Sequence, residues 1–177
     1  PAESQLALLA YSDLSASTTL PQRLGELPLI LEALKRTTLI DASFVGYPNG
    51  EFILFRPLRS DKQRATFTAP DKAVLLVQSL TIDPAGVMHG LHQFFDADGR
   101  LLDSLARPEY RFDPRTRPWY KAVGDNDAAI MTPPYPAGAA SQRMCTPSRW
   151  LDRRTRQVSQ SRPPVPSGRG RWSRASR

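Results

Sequence analysis

The chain of 177 residues carries 24 Lys and Arg against 17 Asp and Glu, a formal charge of +7, with 40% hydrophobic residues. That length suits one domain and a little over, and the apolar content lies above the disordered range. The longest apolar runs, Leu27 to Leu34 and Ala73 to Ile82, fall far short of the ~18 residues of a membrane span, which excludes a transmembrane segment within this sequence. The start at Pro1, with no apolar signal core, reads as a piece cut from a longer protein, and that protein could itself be membrane-bound.

The charge is not uniform. Residues 1–140 hold 14 Lys and Arg against 16 Asp and Glu, a net of −2. Residues 141–177 hold ten Arg, no Lys and the single acid Asp152, a net of +9, with seven Ser and four Pro. Such a tail cannot bury enough apolar surface to offset its ordering entropy and is expected to be disordered. Three readings compete: a basic arm for nucleic acid or anionic lipid, a solvated linker, or an out-of-frame translation of GC-rich DNA. The lack of Lys and the scarcity of aromatics favour the third. The slightly acidic body argues against a nucleic-acid role for residues 1–140, so nucleic-acid or anionic-surface binding, the alternative function, would run through the tail. Cys145, the one cysteine, lies in the tail, so residues 1–140 can form neither a disulfide nor a cysteine metal site.

Taken in chain order, residues 3–14 have helix-forming composition, with Leu6, Leu9 and Ala10 on one face. A Ser/Thr-rich break follows at 15–19. Pro21 suits the first turn of a second helix, along which Leu24, Leu27, Leu31 and Leu34 form one apolar stripe. Pro28 should kink or divide it, and Lys35 and Arg36 suit its C-terminal end. From Leu39 the period falls to two, and Asn49-Gly50 marks a hairpin between strands at 41–47 and 51–56. Residues 57–72 are polar and read as a loop. Strands are expected at 72–81, 90–95 and 100–105, the last two joined through Asp96-Ala97-Asp98-Gly99, and a short sixth strand at 128–132. Helices followed by an antiparallel sheet make an α+β fold.

Catalytic patterns are lacking. His89 and His92, three apart on a strand, point to opposite faces, which reads as one surface and one packed imidazole rather than a metal pair. Asp96-x-Asp98-Gly99 lacks the Glu a calcium loop needs, since Arg107 stands there. There is no phosphate loop, nucleophile elbow or HExxH. No cofactor and no metal are expected.

Residues 110–120, YRFDPRTRPWY, concentrate three Arg, two Tyr, a Phe, a Trp and two Pro. The prolines bias Asp113 and Arg117 toward extended geometry, and Pro118 can open a short helix from Trp119 to Val123, closed by Gly124. A guanidinium so fixed grips a carboxylate through two parallel hydrogen bonds, and neighbouring aromatic faces can enclose an ammonium. The plain structural alternative is an ion pair of Asp113 with Arg115 or Arg117 and a core role for Trp119.

This stretch resembles the FDPRxRPWY signature of bacterial double Cache sensor domains. VGYPNGEFILFRP at 45–57, FFDADGRLL at 94–102 and Thr132-Pro133-Pro134-Tyr135 fit the same pattern, and the resemblance covers roughly residues 20–136. It implies a PAS-like, membrane-distal Cache module at 20–140, preceded at 1–19 by the end of a signalling helix and followed at 141–177 by the anomalous tail. It further implies an extracytoplasmic, periplasmic location in a membrane receptor, held by segments absent from this chain. The module would itself be non-catalytic, with a cytoplasmic output such as a nucleotide cyclase or a kinase; the strand pair with FDPRTRPWY most resembles receptors ending in an adenylate or guanylate cyclase. Dimerisation is left open. Carried over residue by residue, the ligand contacts are Arg117, Trp119, Tyr120 and Tyr135, with Phe112 where amino-acid-binding members have a Tyr. The Asp that would hold an amino group falls in the tail and is absent, so an organic acid stands beside an amino acid as the expected ligand. Because the resemblance stops near residue 136, the distal sheet is expected to lack a closing strand and to leave an exposed edge.

Overall fold

The computed structural model describes residues 12–36, 38 and 40–123. Residues 3–11 of the first expected helix, the strand at 128–132, Gly124, Tyr135 and the tail with Cys145 lie outside the described residues. Residues 12–14, expected to end that helix, are in a turn instead.

The first described helix, α1 (Leu20–Gly25), starts with a reciprocal cap: Thr19 takes the Gln22 N–H and the Gln22 side chain returns to the Thr19 N–H. Glu26 then separates it from α2 (Leu27–Lys35). The break expected at Pro28 thus falls two residues earlier, because Pro28 is accommodated in the first turn of α2, where its missing N–H costs nothing. Leu27, Ile30, Leu31 and Leu34 form the buried stripe of α2.

Five strands follow: β1 (Ser43–Gly46), β2 (Phe52–Pro57), β3 (Leu75–Ile82), β4 (Met88–Phe95) and β5 (Leu101–Ala106). They form one antiparallel sheet in the order β1-β2-β3-β4-β5, so each strand neighbours its sequence successor. Gly50 at φ +93° closes the first hairpin, as its sequence predicts. Asp96 closes the β4–β5 turn by accepting the N–H groups of Asp98 and Arg100, both at 2.9 Å. The stretch at 57–72 is not wholly a loop. It contains α3 (Asp61–Phe67), whose Ser60–Gln63 pair forms a second capping box.

The sheet is covered on both faces. Val45, Tyr47, Ile53, Phe55, Leu75, Val77 and Phe95 pack against Leu14 and the α2 stripe. Arg23 of α1 is buried here. Its Nη2 donates to Glu51 Oε2 at 2.5 Å, and its guanidinium lies 3.7 Å from the centre of the Tyr47 ring. Tyr47 in turn donates its hydroxyl hydrogen to the Leu14 carbonyl at 2.9 Å. One buried charge pair therefore ties the helical layer to the first hairpin.

The opposite face carries two separate apolar clusters. At one end Leu58, Ala73, Leu76 and Phe94 pack with Phe67 of α3. At the other end Ala42, Phe44, Phe52, Leu54 and Leu80 pack with Trp119, Tyr120, Tyr110 and Phe112. Those aromatic covers come from the segment after β5, which passes through a 3-10 turn (Pro114–Thr116) into α4 (Pro118–Val123).

Candidate functional site

Pro114 and Pro118 shape the covering segment as expected. Asp113 (φ −105°, ψ 110°) and Arg117 (φ −81°, ψ 144°) are both extended. The segment approaches the sheet closely because Gly46 has no side chain: a Cβ there would stand 2.6 Å from Pro114 Cβ and 2.9 Å from Trp119 Cη2. Gly90 does the same on β4, where a Cβ would collide with the Arg107 carbonyl and lie 3.0 Å from Tyr110 Cβ.

The arginines of the segment have different fates. Arg115 donates through Nε and Nη2 to the two oxygens of Asp113, each at 2.9 Å. That fork, helped by the Arg115 N–H, outweighs burial and holds the Asp113 carboxyl below its usual range. The local ion pair therefore belongs to Arg115. Arg117 has no ion pair among the described residues. Its guanidinium carbon sits 4.4 Å from the centre of the Phe112 ring, which lies 4.5 Å from that of Phe52. Its Nε is buried with no hydrogen-bond partner.

The expected ligand residues thus divide into two groups. Arg117 and Phe112 form a cation–aromatic stack above β2. Trp119 is completely buried, with its ring 4.9 Å from Phe44 and 5.7 Å from Tyr120, and Tyr120 is buried beside it. These two anchor the segment that carries Arg117, and the Trp119 indole N–H has no partner. Tyr135 lies outside the described residues.

The structure adds residues that sequence reasoning passed over. These are Arg56 on β2, Gln78 on β3 and His92 on β4; Gln78 stands opposite Leu54 and Arg56 opposite Leu76, so Arg56 is one diagonal step from Gln78. Arg56 lies between Leu54 and Leu58, the latter just past the end of β2, and Gln78 lies between Leu76 and Leu80 on β3. Gln78 and His92 face each other in register, with Gln78 Nε2 at 2.9 Å from His92 Nε2. The amide donates and the ring nitrogen accepts, which leaves the imidazole proton on Nδ1. Nδ1 is buried and has no partner. Burial, then Arg107, with Arg56 adding and Glu109 opposing, pushes the His92 pKa down to about 4, so the ring is neutral at physiological pH. Tyr110 packs edge-on against His92 at 5.9 Å. Burial pushes its pKa up to about 12 against the opposing pull of Arg56 and Arg117. His89, on the other face of β4, pairs with Asp83 at the surface.

The polar strand residues were visible as Arg56 in FILFRP and Gln78 in LLVQSL, polar side chains interrupting apolar strands. Their convergence depended on register, which the sequence pattern alone leaves open.

Among the described residues, no three of His, Cys, Asp and Glu gather as a metal site requires. None of the described helices is long and apolar enough to cross a membrane. The arrangement offers fixed guanidinium groups and neutral donors, suited to holding a small anion.

The chain is similar to Adenylate cyclase 1 of Rhizobium meliloti (strain 1021), with 34% identity over 116 residues. The match takes in 65% of this chain and 17% of that protein. The chain therefore spans about a sixth of its relative's length. No family model matches the chain, and no solved structure matches it.

Proposed function

We propose that this chain is the sensor part of a bacterial transmembrane signalling receptor. It is a non-catalytic Cache-type module with a PAS-like sheet, lying on the periplasmic side of the inner membrane. It binds a small carboxylate and controls a cytoplasmic output, for which the similarity to part of an adenylate cyclase supports a nucleotide cyclase. The observation that carries the reading is Arg117: a guanidinium seated on an aromatic ring, without an acidic partner among the described residues and with a buried, unpartnered Nε.

An acid fits this site better than a zwitterion. Arg56, Arg107 and Arg117 each have a buried Nε without a partner. Asp113 is engaged by Arg115, and Glu109, largely exposed, stands 3.9 Å from Arg107. Ligand binding would favour one of two conformations and so bias the chain leading toward the membrane. The buried Arg23–Glu51 pair supplies a rigid connection between the sheet and the N-terminal helices.

The test is thermal shift with a panel of small carboxylates and amino acids. Carboxylates should raise the Tm in proportion to occupancy, and Arg117→Ala should remove the shift. A shift that survives in Arg117→Ala takes the ligand away from this site.

A further inference from the structure

The β1–β2 hairpin touches both the segment that carries Arg117 and the N-terminal entry of the chain, and it does so through adjacent residues. Strand alternation puts Gly46 and Tyr47 on opposite faces of β1. Gly46 is pressed against the Arg117 segment, with no room for a Cβ beside Pro114 and Trp119. Tyr47 is buried on the other face. There its hydroxyl donates to the Leu14 carbonyl at 2.9 Å and its ring lies 3.7 Å from the Arg23 guanidinium. The turn of the hairpin repeats this arrangement. A Cβ on Gly50 would stand 3.0 Å from Arg115 Nη2. Its neighbour Glu51 holds Arg23, whose Nε donates to the Ser17 carbonyl at 3.3 Å. Leu14 and Ser17 belong to the turn at 12–18, through which the chain enters the sheet and its helices.

The hairpin is stiff within itself. The Tyr47 N–H donates to the Glu51 carbonyl and the Gly50 N–H to the Tyr47 carbonyl, both at 2.9 Å, and the Asn49 side chain accepts the Glu51 N–H at 3.0 Å. Among the described residues β1 pairs only with β2, so β1 and its turn can tilt without breaking a second ladder. The grip on the entry is polar and finely balanced. Arg23 is the buried residue of α1, its Nη1 has no partner, and a buried ion pair leaves little net stability once desolvation is counted.

We infer that the β1–β2 hairpin is a lever that couples the position of residues 112–120 to the docking of the turn at 12–18. Displacing Pro114 or Arg115 moves Gly46 or Gly50, and each of these is bonded to a residue that holds the entry turn. The coupling itself does not depend on the carboxylate reading; that it carries a binding signal rests on that reading.

The experiment uses the full chain with Trp150→Phe and Trp172→Phe, which leaves Trp119 as the fluorescent reporter. Tyr47→Phe removes the bond to Leu14, and Glu51→Gln breaks the pair with Arg23. Each should raise acrylamide quenching of Trp119 by about twofold or more. Leu58→Ala, which loosens the other apolar cluster on the same face as Trp119, should leave the quenching unchanged; an equal rise there is general loosening and overturns the lever. In the reverse direction, Arg115→Ala should speed hydrogen exchange of the peptide covering 12–18 by about twofold or more, since coupling between two sites is reciprocal. Far-UV circular dichroism checks folding, and if Glu51→Gln does not fold, Tyr47→Phe and Arg115→Ala carry the test. Absence of a response in either direction overturns the lever. Neither measurement uses a ligand, so a carboxylate-induced Tm shift without these responses removes the lever and leaves the sensor reading intact.

Discussion

Gly46→Ala probes the docking that positions Arg117. The new methyl would lie 2.6 Å from Pro114 Cβ and 2.9 Å from Trp119 Cη2, whereas carbon atoms rest at about 3.5–4.0 Å. One side must therefore retreat by about 1 Å. Neither neighbour can do so cheaply. The Pro114 ring has no rotamer to change, and the turn containing it is braced by the Asp113–Arg115 fork. Trp119 is completely buried, so rotating it would displace Phe44 or Tyr120. The overpacking should cost about 1–3 kcal/mol. At about 4–8 °C per kcal/mol for an ordered body of about 100 residues, the Tm should fall by roughly 5–20 °C. Urea titration followed by far-UV circular dichroism should show a lower midpoint at unchanged slope. Carboxylate affinity should fall as well, because the displaced segment carries Arg117. An unchanged midpoint together with unchanged affinity would refute the placement of residues 112–120 on β1.

Other consequences follow from buried charges. Arg56→Met should stabilise the ligand-free protein by about 1–3 kcal/mol, because a buried cation gives way to an apolar side chain of similar length; a lower urea midpoint would show that Arg56 has a counter-ion after all. Glu51→Gln should destabilise by about 3–5 kcal/mol, since Arg23 would keep its buried charge and lose its partner; a loss below about 0.5 kcal/mol would mean the pair is solvated. His92 makes stability depend on pH. Its pKa falls from 6.5 to about 4, chiefly through burial, so the unfolded chain takes up a proton that the folded one refuses. Its contribution is fully present above about pH 6.5 and is lost as pH falls toward 4. His92→Gln should flatten the pH slope of the urea midpoint in that window, and an unaltered slope would place the titration elsewhere.

Much of the fold could be read from local chemistry. The Leu27–Leu34 stripe, the Asn49-Gly50 turn and the Asp96–Gly99 turn each act through neighbours a few residues away, so their patterns predict helix and hairpins directly. Helix α3 was overlooked because its residues have no apolar stripe, although the Ser60–Gln63 capping box was present in the sequence. The turn at Asp83–Gly86 shows the same local logic, with Asp83 Oδ1 accepting from the Ala85 and Val87 N–H groups. In the site, Arg117 stands in the extended geometry that Pro118 imposes, with Phe112 beneath it. Trp119 is sealed in the apolar cluster, because Gly46 opens a slot for its ring. The group of Arg56, Gln78 and His92 could not be assembled from the sequence. It depends on the pairing of three strands and on Phe67 and Tyr110 capping the face from opposite ends.

The most direct measurement is nuclear magnetic resonance of arginine side chains labelled at Nε, with succinate titrated into the full chain. Assignment would come from Arg117→Lys and Arg56→Lys. The Arg117 Nε–H signal should shift with saturation and exchange more slowly with water, and Arg115, already held by Asp113, should stay in place. Signals of Arg117 that remain unmoved at saturating acid, or a response confined to other arginines, would contradict the carboxylate grip.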